Sequence, residues 1–346
     1  MRFLLDDEQR EFARSLDGML EAAATPAAVR AWAAGDHGPG RALWARLAQA
    51  GVFGLAVAEE YDGLGMHPVE LVVAFIELGR HAVPGPLVET VAVAALLDRL
   101  DDTALAMAWL PGIASGETAA SLCLLTPDSP YALDADAGDV VFVLAGDTVR
   151  VTESYGTVQP SADPARRLAR PLGGTVLAQG SHVLQAAEHA AGVAALVTAA
   201  QALGLGRALL DRTVAYVKQR TQFGVPVGSF QAVKHRLADV LIALEFAQPL
   251  VYAAALALAA GQPDSARDIA AAKVSAGEAA YAAARTALHL HGAVGYTEEL
   301  DLSLWIRKAR ALRTAWGTPA ACRARVLTAD RAPSEEQTDE ADRGTR

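Results

Sequence analysis

Residues 220–231 read Arg220-Thr-Gln-Phe-Gly-Val-Pro-Val-Gly-Ser-Phe-Gln231, a composed loop between two long stretches rich in Ala and Leu. A guanidinium fork matches a phosphate bidentately, Gly224 and Gly228 let backbone approach a ligand, and the amides of Gln222 and Gln231 both donate and accept. The loop reads as a cofactor clamp, and the helices flanking it set the fold. Apolar spacing predicts helices over 184–219, 231–260, 264–291 and 300–328, with Pro249 bending the second. Val233, Leu237, Val240 or Leu241, and Leu244 recur at three and four residues, which makes one apolar stripe for bundle packing.

Working toward the N-terminus, the character changes. Residues 119–125, 139–144 and 148–152 are short, β-branched runs separated by Pro, Asp and Gly, so a small β region is expected over 117–180. Before it, 6–35 carries helical spacing, a helix over 40–50 stops at Gly51, and Pro68 opens another running to Arg80. Further helices are expected over 88–110. The fold class is therefore mainly α with a small central β domain: an N-terminal helical domain (1–116), a reduced β domain (117–180) and a C-terminal four-helix bundle (181–332). The tail, 333–346, has Ala341 as its one apolar residue after Pro333 and is expected to be disordered.

Composition narrows the function. Across 346 residues, 52% are hydrophobic, 20% charged and 6% aromatic, as Ala/Leu helices require. A net charge of -10 argues against nucleic acid or an anionic membrane surface as a partner. Cys123 and Cys322 lie far apart without metal or redox spacing, which fits buried thiols in a reducing cytoplasm. The N-terminus is too acidic for a secretory signal. The longest apolar stretch, 250–260, falls short of the ~20 residues that cross a bilayer and reads as a buried helix. No metal site is expected, because no His, Cys and Asp cluster has ligand spacing.

The order of helices, β region and bundle, together with several local motifs, resembles the acyl-CoA dehydrogenase family. The clamp is similar to that family's RxxFGxPIxxFQ. Glu59-Glu-Tyr-Asp-Gly-Leu-Gly65 resembles PEEYGGLG, Glu77-Leu-Gly-Arg80 resembles EELGR, and His291-Gly-Ala-Val-Gly-Tyr296 resembles HGGxGY. The resemblance implies FAD as cofactor and removal of an α-proton and a β-hydride from an acyl-CoA thioester. Such chemistry needs a carboxylate base within hydrogen-bond reach of the α-carbon.

The pattern breaks where that base belongs. Arg313-Thr-Ala-Trp-Gly-Thr318 matches the family's EGT segment and puts Trp316 at the base position. An indole donates one hydrogen bond and has no basic lone pair. The alternative family position falls on Ala194, so no catalytic residue is assigned. Glu59 and Glu60 read as a solvated loop face, and Glu188 and Glu245 are weaker still as substitutes. The β region keeps Thr126 but lacks a counterpart of the family's W-x-T strand.

In this family the flavin pyrophosphate and adenosine cross a dimer interface to the neighbour's arginine and HGG loops. The resemblance therefore implies that Arg220, Gln222, Phe223, Gln231, His291 and Gly292 are cofactor-binding residues lent to a partner. The expected assembly is an α2β2 complex with a homologous base-bearing subunit, of a kind that often acts on bulky steroid or polyketide-like acyl-CoA substrates, passing electrons to an electron-transfer flavoprotein or similar acceptor. Two alternatives stay open: an autonomous, oxygenase-type flavoprotein of the same fold, and a structural partner whose loop serves packing. For His291, cofactor neighbour and capping residue are equally good readings; His235 and His289 read as structural or doubtful contacts.

Overall fold

The structure, a computed structural model, describes residues 4–126 and 129–329. The expected tail lies outside them. The N-terminal part contains α1 (Asp7–Glu21), α2 (Thr25–Ala33), α3 (Gly38–Gln49), α4 (Pro68–Arg80), α5 (Leu87–Asp98) and α6 (Thr103–Ala114). Asp6 caps α1 in a reciprocal box with Gln9. The helical spacing over 6–35 is two helices rather than one, because Ala24 turns left-handed (φ 48°) and Pro26 sits in the first turn of α2.

Next come β1 (Ala120–Leu124), β2 (Ala132–Leu133), β3 (Val140–Ala145), β4 (Thr148–Thr152), β5 (Leu168–Ala169) and β6 (Thr175–Gln179). The larger sheet runs β1-β3-β4-β6, with β1 and β3 parallel and the remaining pairs antiparallel. β6 was not anticipated: its leading residues are exposed, so it lacks the alternation that marks a half-buried strand. Thr90 of α5 ties the sheet to the helices, since its Oγ1 donates to the Ala120 carbonyl (2.8 Å) and accepts from the Ala120 N–H (3.0 Å).

The C-terminal part contains α7 (Ser181–Gln219), the short strands β7 (Thr221–Gln222) and β8 (Val225–Pro226), α8 (Gln231–Ala259), α9 (Ser265–His291), α10 (Leu302–Thr314) and α11 (Pro319–Ala329). α7 is the central post. Its crossing with α4 depends on glycine: a Cβ on Gly79 would lie 1.9 Å from the Gln201 carbonyl oxygen, and one on Gly204 would lie 1.8 Å from that of Ile76. These clashes involve backbone, so the helices approach this closely only without side chains there. α10 is pinned to the same post by Trp305, whose Nε1 donates to the Arg80 carbonyl (2.8 Å) while Arg212 lies over its ring. Lys308 of α10 forms a buried ion pair with Asp163 (3.5 Å).

Two expectations need correction here. The helix expected over 300–328 is broken between α10 and α11, where Trp316 (φ 53°) and Gly317 (φ 132°) are both left-handed and Pro319 starts the next helix. The segment 250–260 is buried on one face only, with Leu250 and Leu256 exposed. α7 and α8 are both long and apolar enough to cross a membrane; in the longer of them, 94% of the apolar window is buried within the protein and 44% in the other. Length is therefore not the obstacle that the sequence suggested, but α7 is a core helix. The apolar stripe of α8 is as expected through Val240 and Leu244, whereas Leu241, Ile242 and Phe246 face outward.

Candidate functional site

The clamp is a hairpin at the end of α7. Phe223 (φ 56°) and Gly224 (φ 79°) both take left-handed conformations, the pair of positive angles that a two-residue turn between twisted strands demands. Gly224 meets that demand without strain, but a β-carbon on Phe223 costs energy there. The turn lifts Phe223 out of the protein, 91% exposed, in edge contact with Phe230 at 6.3 Å. At Gly228 a Cβ would lie 3.1 Å from the Val217 carbonyl, so within this chain its close neighbour is α7.

Arg220 ends α7. Its backbone N–H donates to Tyr216 and its carbonyl accepts from Val227, but its exposed guanidinium has no hydrogen-bond or ion-pair partner among the described residues. A helix-end arginine that served only to cap carbonyls would be bonded to them. Gln222 is exposed and donates to the Thr221 carbonyl (2.9 Å), with no partner for its amide oxygen among the described residues, and Gln231 is exposed on the first turn of α8.

His291 reaches this end of the molecule from α9. Its ring stacks on Tyr216 at 4.0 Å, one turn before Arg220, and its Nδ1 lies 2.8 Å from the Ala287 carbonyl. Burial holds the ring's pKa below the usual imidazole value, and the bond to Ala287 opposes that. The His291 ring is therefore a packed brace joining the two loops, while Gly292 (φ 63°) is exposed beyond it. The structure thus brings Arg220, Gln222, Phe223, Gln231 and the His291-Gly292 turn to one end of the helical part.

The two positions expected to carry a base lie elsewhere, one buried and one partly buried. Ala194 is fully buried on α7. Trp316 is folded inward, and its Nε1 donates to Glu89 Oε1 (3.0 Å). Glu89 is 3% exposed, and its Oε2 has no hydrogen-bond partner. The turn carrying Trp316 is held by Lys273, 1% exposed, whose Nζ donates to the carbonyls of Leu312 (3.1 Å), Arg313 (3.3 Å) and Gly317 (3.3 Å). An ammonium at the negative end of α10 is well placed. Burial nevertheless pulls the Lys273 pKa down to about 8.

Sequence reasoning missed Glu89 and Lys273. Each left a signal, a single charge inside an otherwise apolar helical run: Leu87-Val-Glu-Thr-Val-Ala-Val93 and Ile269-Ala-Ala-Ala-Lys-Val274. The substitute bases considered from sequence are all peripheral: Glu59 and Glu60 are exposed, Glu188 pairs with Arg325 (3.5 Å) and Glu245 with Arg207 (2.9 Å). Thr126 is exposed and bridges to Ser129.

One further cluster escaped the search for ligand spacing. Asp17, Glu77 and His81 bring ligand-type atoms within 4.8 Å of one another. His81 Nε2 is 2.7 Å from Asp17 Oδ1, Arg80 lies 3.7 Å from the same oxygen, and burial pushes Glu77 up to about 7. The guanidinium supplies countercharge, so the group is a seam between α1 and α4. Both cysteines are free and buried, and burial raises both thiol pKa values, which makes each a poor nucleophile.

This helical frame around a small sheet, with a glycine-turned arginine hairpin at one end, has clear relatives. Residues 6–117 match the model of the acyl-CoA dehydrogenase N-terminal domain and 184–329 that of its C-terminal domain, bracketing the β region. The chain is 36% identical to acyl-CoA dehydrogenase IpdE2 of Mycobacterium tuberculosis, over 87% of this chain and 91% of the relative. Among solved structures, the Tcur3481-Tcur3483 steroid ACAD variant superposes with a TM-score of 0.80 at 25% identity, covering 94% of this chain and 98% of that one. The ChsE4-ChsE5 complex from Mycobacterium tuberculosis gives 0.82 at 22%, covering 96% and 100%. The protein belongs to the acyl-CoA dehydrogenase family, whose members are flavin-linked oxidoreductases acting on CH–CH bonds.

Proposed function

We propose that this chain is the base-lacking subunit of a heteromeric acyl-CoA dehydrogenase, lending half of a flavin site to a homologous subunit that carries the catalytic carboxylate. The observation that supports it most is the contrast between the exposed, unpartnered guanidinium of Arg220 and the inward-turned indole of Trp316. FAD supplies the hydride acceptor when bound. Arg220 would hold the pyrophosphate, Gln222 and Gln231 would bond polar edges of the adenosine side, Phe223 would cover it from solvent, and Gly292 would give a backbone approach beside the His291 brace. The donor set fits an anionic dinucleotide: an unpartnered fork, exposed amides and an exposed ring.

This chain's own side would offer no equivalent seat for the reacting end, because Trp316 and Ala194 stand at the two expected base positions and neither side chain can take a proton. The Tcur3481-Tcur3483 steroid ACAD among its structural neighbours favours a steroid-like acyl-CoA as substrate. An electron-transfer flavoprotein would take the electrons. The domain limits proposed for this assembly are 1–116, 117–180 and 181–332, with the last presenting the lent residues.

The test is Arg220→Ala in this chain co-expressed with a base-bearing homologue. The expected outcome is an assembled complex whose flavin dissociation constant rises at least tenfold by absorbance titration, because a charge-assisted phosphate contact of about 1.5–3 kcal/mol is lost. An unchanged constant would make the loop a packing element. Strong flavin colour and turnover from the isolated chain would overturn the half-site reading altogether.

A further inference from the structure

Among the described residues, Glu89 is the carboxylate bonded to the residue at the expected base position, and it comes from a helix 227 residues away in sequence. It rises from α5, which Thr90 fastens to β1, and accepts the Trp316 indole N–H with one oxygen while the other has no partner. A buried carboxylate with an orphaned oxygen is costly and persists where its surroundings over-determine it. Here the surroundings are a left-handed Trp316 and a turn whose carbonyls are gathered by Lys273. Two surface cavities, of about 490 and 230 Å³, lie elsewhere, and neither is lined by Trp316, Glu89 or Ala194.

We propose that Trp316 and Glu89 form a stopper: the indole fills this chain's own acyl cleft and Glu89 latches it shut, so the chain excludes acyl thioesters. The idea rests on the half-site reading above for the placement of Trp316 at the base position. It assigns the two residues a specificity role, confining substrate to the partner subunit. Glu89 does not serve as a displaced base, because its bonded oxygen is occupied by the indole and both of its oxygens are shielded from solvent.

The experiment uses the assembled complex, a non-reactive thioether analogue of octanoyl-CoA, and a diazirine-bearing version of the same probe. Photolabelling of the wild-type complex should mark the partner and leave peptides covering 87–98 and 315–318 of this chain unlabelled. Trp316→Gly should open a second class of sites, raising bound analogue from about one to about two per pair of chains, with new label on this chain. Label on 87–98 or 315–318 in the wild type, or an assembled Trp316→Gly complex that stays at about one, would overturn the stopper. If the variant fails to assemble, the wild-type labelling decides alone. Flavin content in the same samples reports separately on the half-site, since acyl label on this chain is read whether or not flavin is retained.

Discussion

The hairpin at 220–231 and the turn at 315–318 are both left-handed interruptions between helices, yet they treat their side chains in opposite ways. The hairpin keeps its phenylalanine, arginine and glutamines in solvent and satisfies mainly its backbone internally. The turn gathers its carbonyls on a buried lysine and hands its indole to a buried glutamate. Strain at a non-glycine residue persists where something holds it. In the turn the holding contacts are visible within the chain; in the hairpin they would come from another molecule.

The largest expected effect comes from breaking the closed half. Lys273→Met keeps much of the side-chain volume but leaves three carbonyls, one buried and two partly buried, without their donor. Each unsatisfied group costs about 1–3 kcal/mol, non-additively, so a loss on the order of 3–5 kcal/mol in urea unfolding is expected. A loss under about 1 kcal/mol would mean that the turn holds its shape without the lysine, and that its rigidity comes from Trp316 and Pro319.

A smaller effect tests whether the interior tolerates buried carboxylates as structural parts. Asp134 is fully buried; burial pushes its carboxyl up to about 7, against the backbone N–H of Arg167, which bonds Oδ1 and lowers it. With a native pKa raised above the unfolded value, this group favours the folded state at low pH, and that contribution is lost as pH rises from about 4 through about 7. Asp134→Asn should therefore flatten the fall in stability across that window, measured as Tm against pH. A wild-type curve as flat as the variant's would show that Asp134 is ionised throughout.

Much of the frame was legible in the sequence because helices of this length advertise their period and their punctuation. Pro68 opened α4 and Gly51 closed α3 where their chemistry required. The segment 220–231 was legible as a composed loop because its residues are adjacent in sequence, though its two short strands were not anticipated. The latch was not: Trp316 and Glu89 are 227 residues apart, and an alternating or helical pattern says nothing about which lone charge meets which lone donor. The break at Trp316 was missed for a related reason. Gly317 and Pro319 are punctuation, but the apolar spacing on either side runs through them, and the Lys273 contacts that stabilise the break come from another helix.

The smallest stability effect is the most discriminating. Phe223 is 91% exposed and carries a positive φ, so Phe223→Ala removes almost no buried area and should change unfolding free energy by within about 0.5 kcal/mol. A residue kept large, apolar and strained without contributing to its own chain's stability has a physical rationale only at a contact. In the complex with a base-bearing homologue, the same substitution should raise the flavin dissociation constant severalfold, from the loss of about 1 kcal/mol of aromatic contact. If flavin affinity holds but unfolding shifts by 2 kcal/mol or more, the estimate of about 0.5 fails and the ring is an anchor for Phe230. The hairpin would then resemble the turn, serving its own fold, and the contrast between the two loops would vanish.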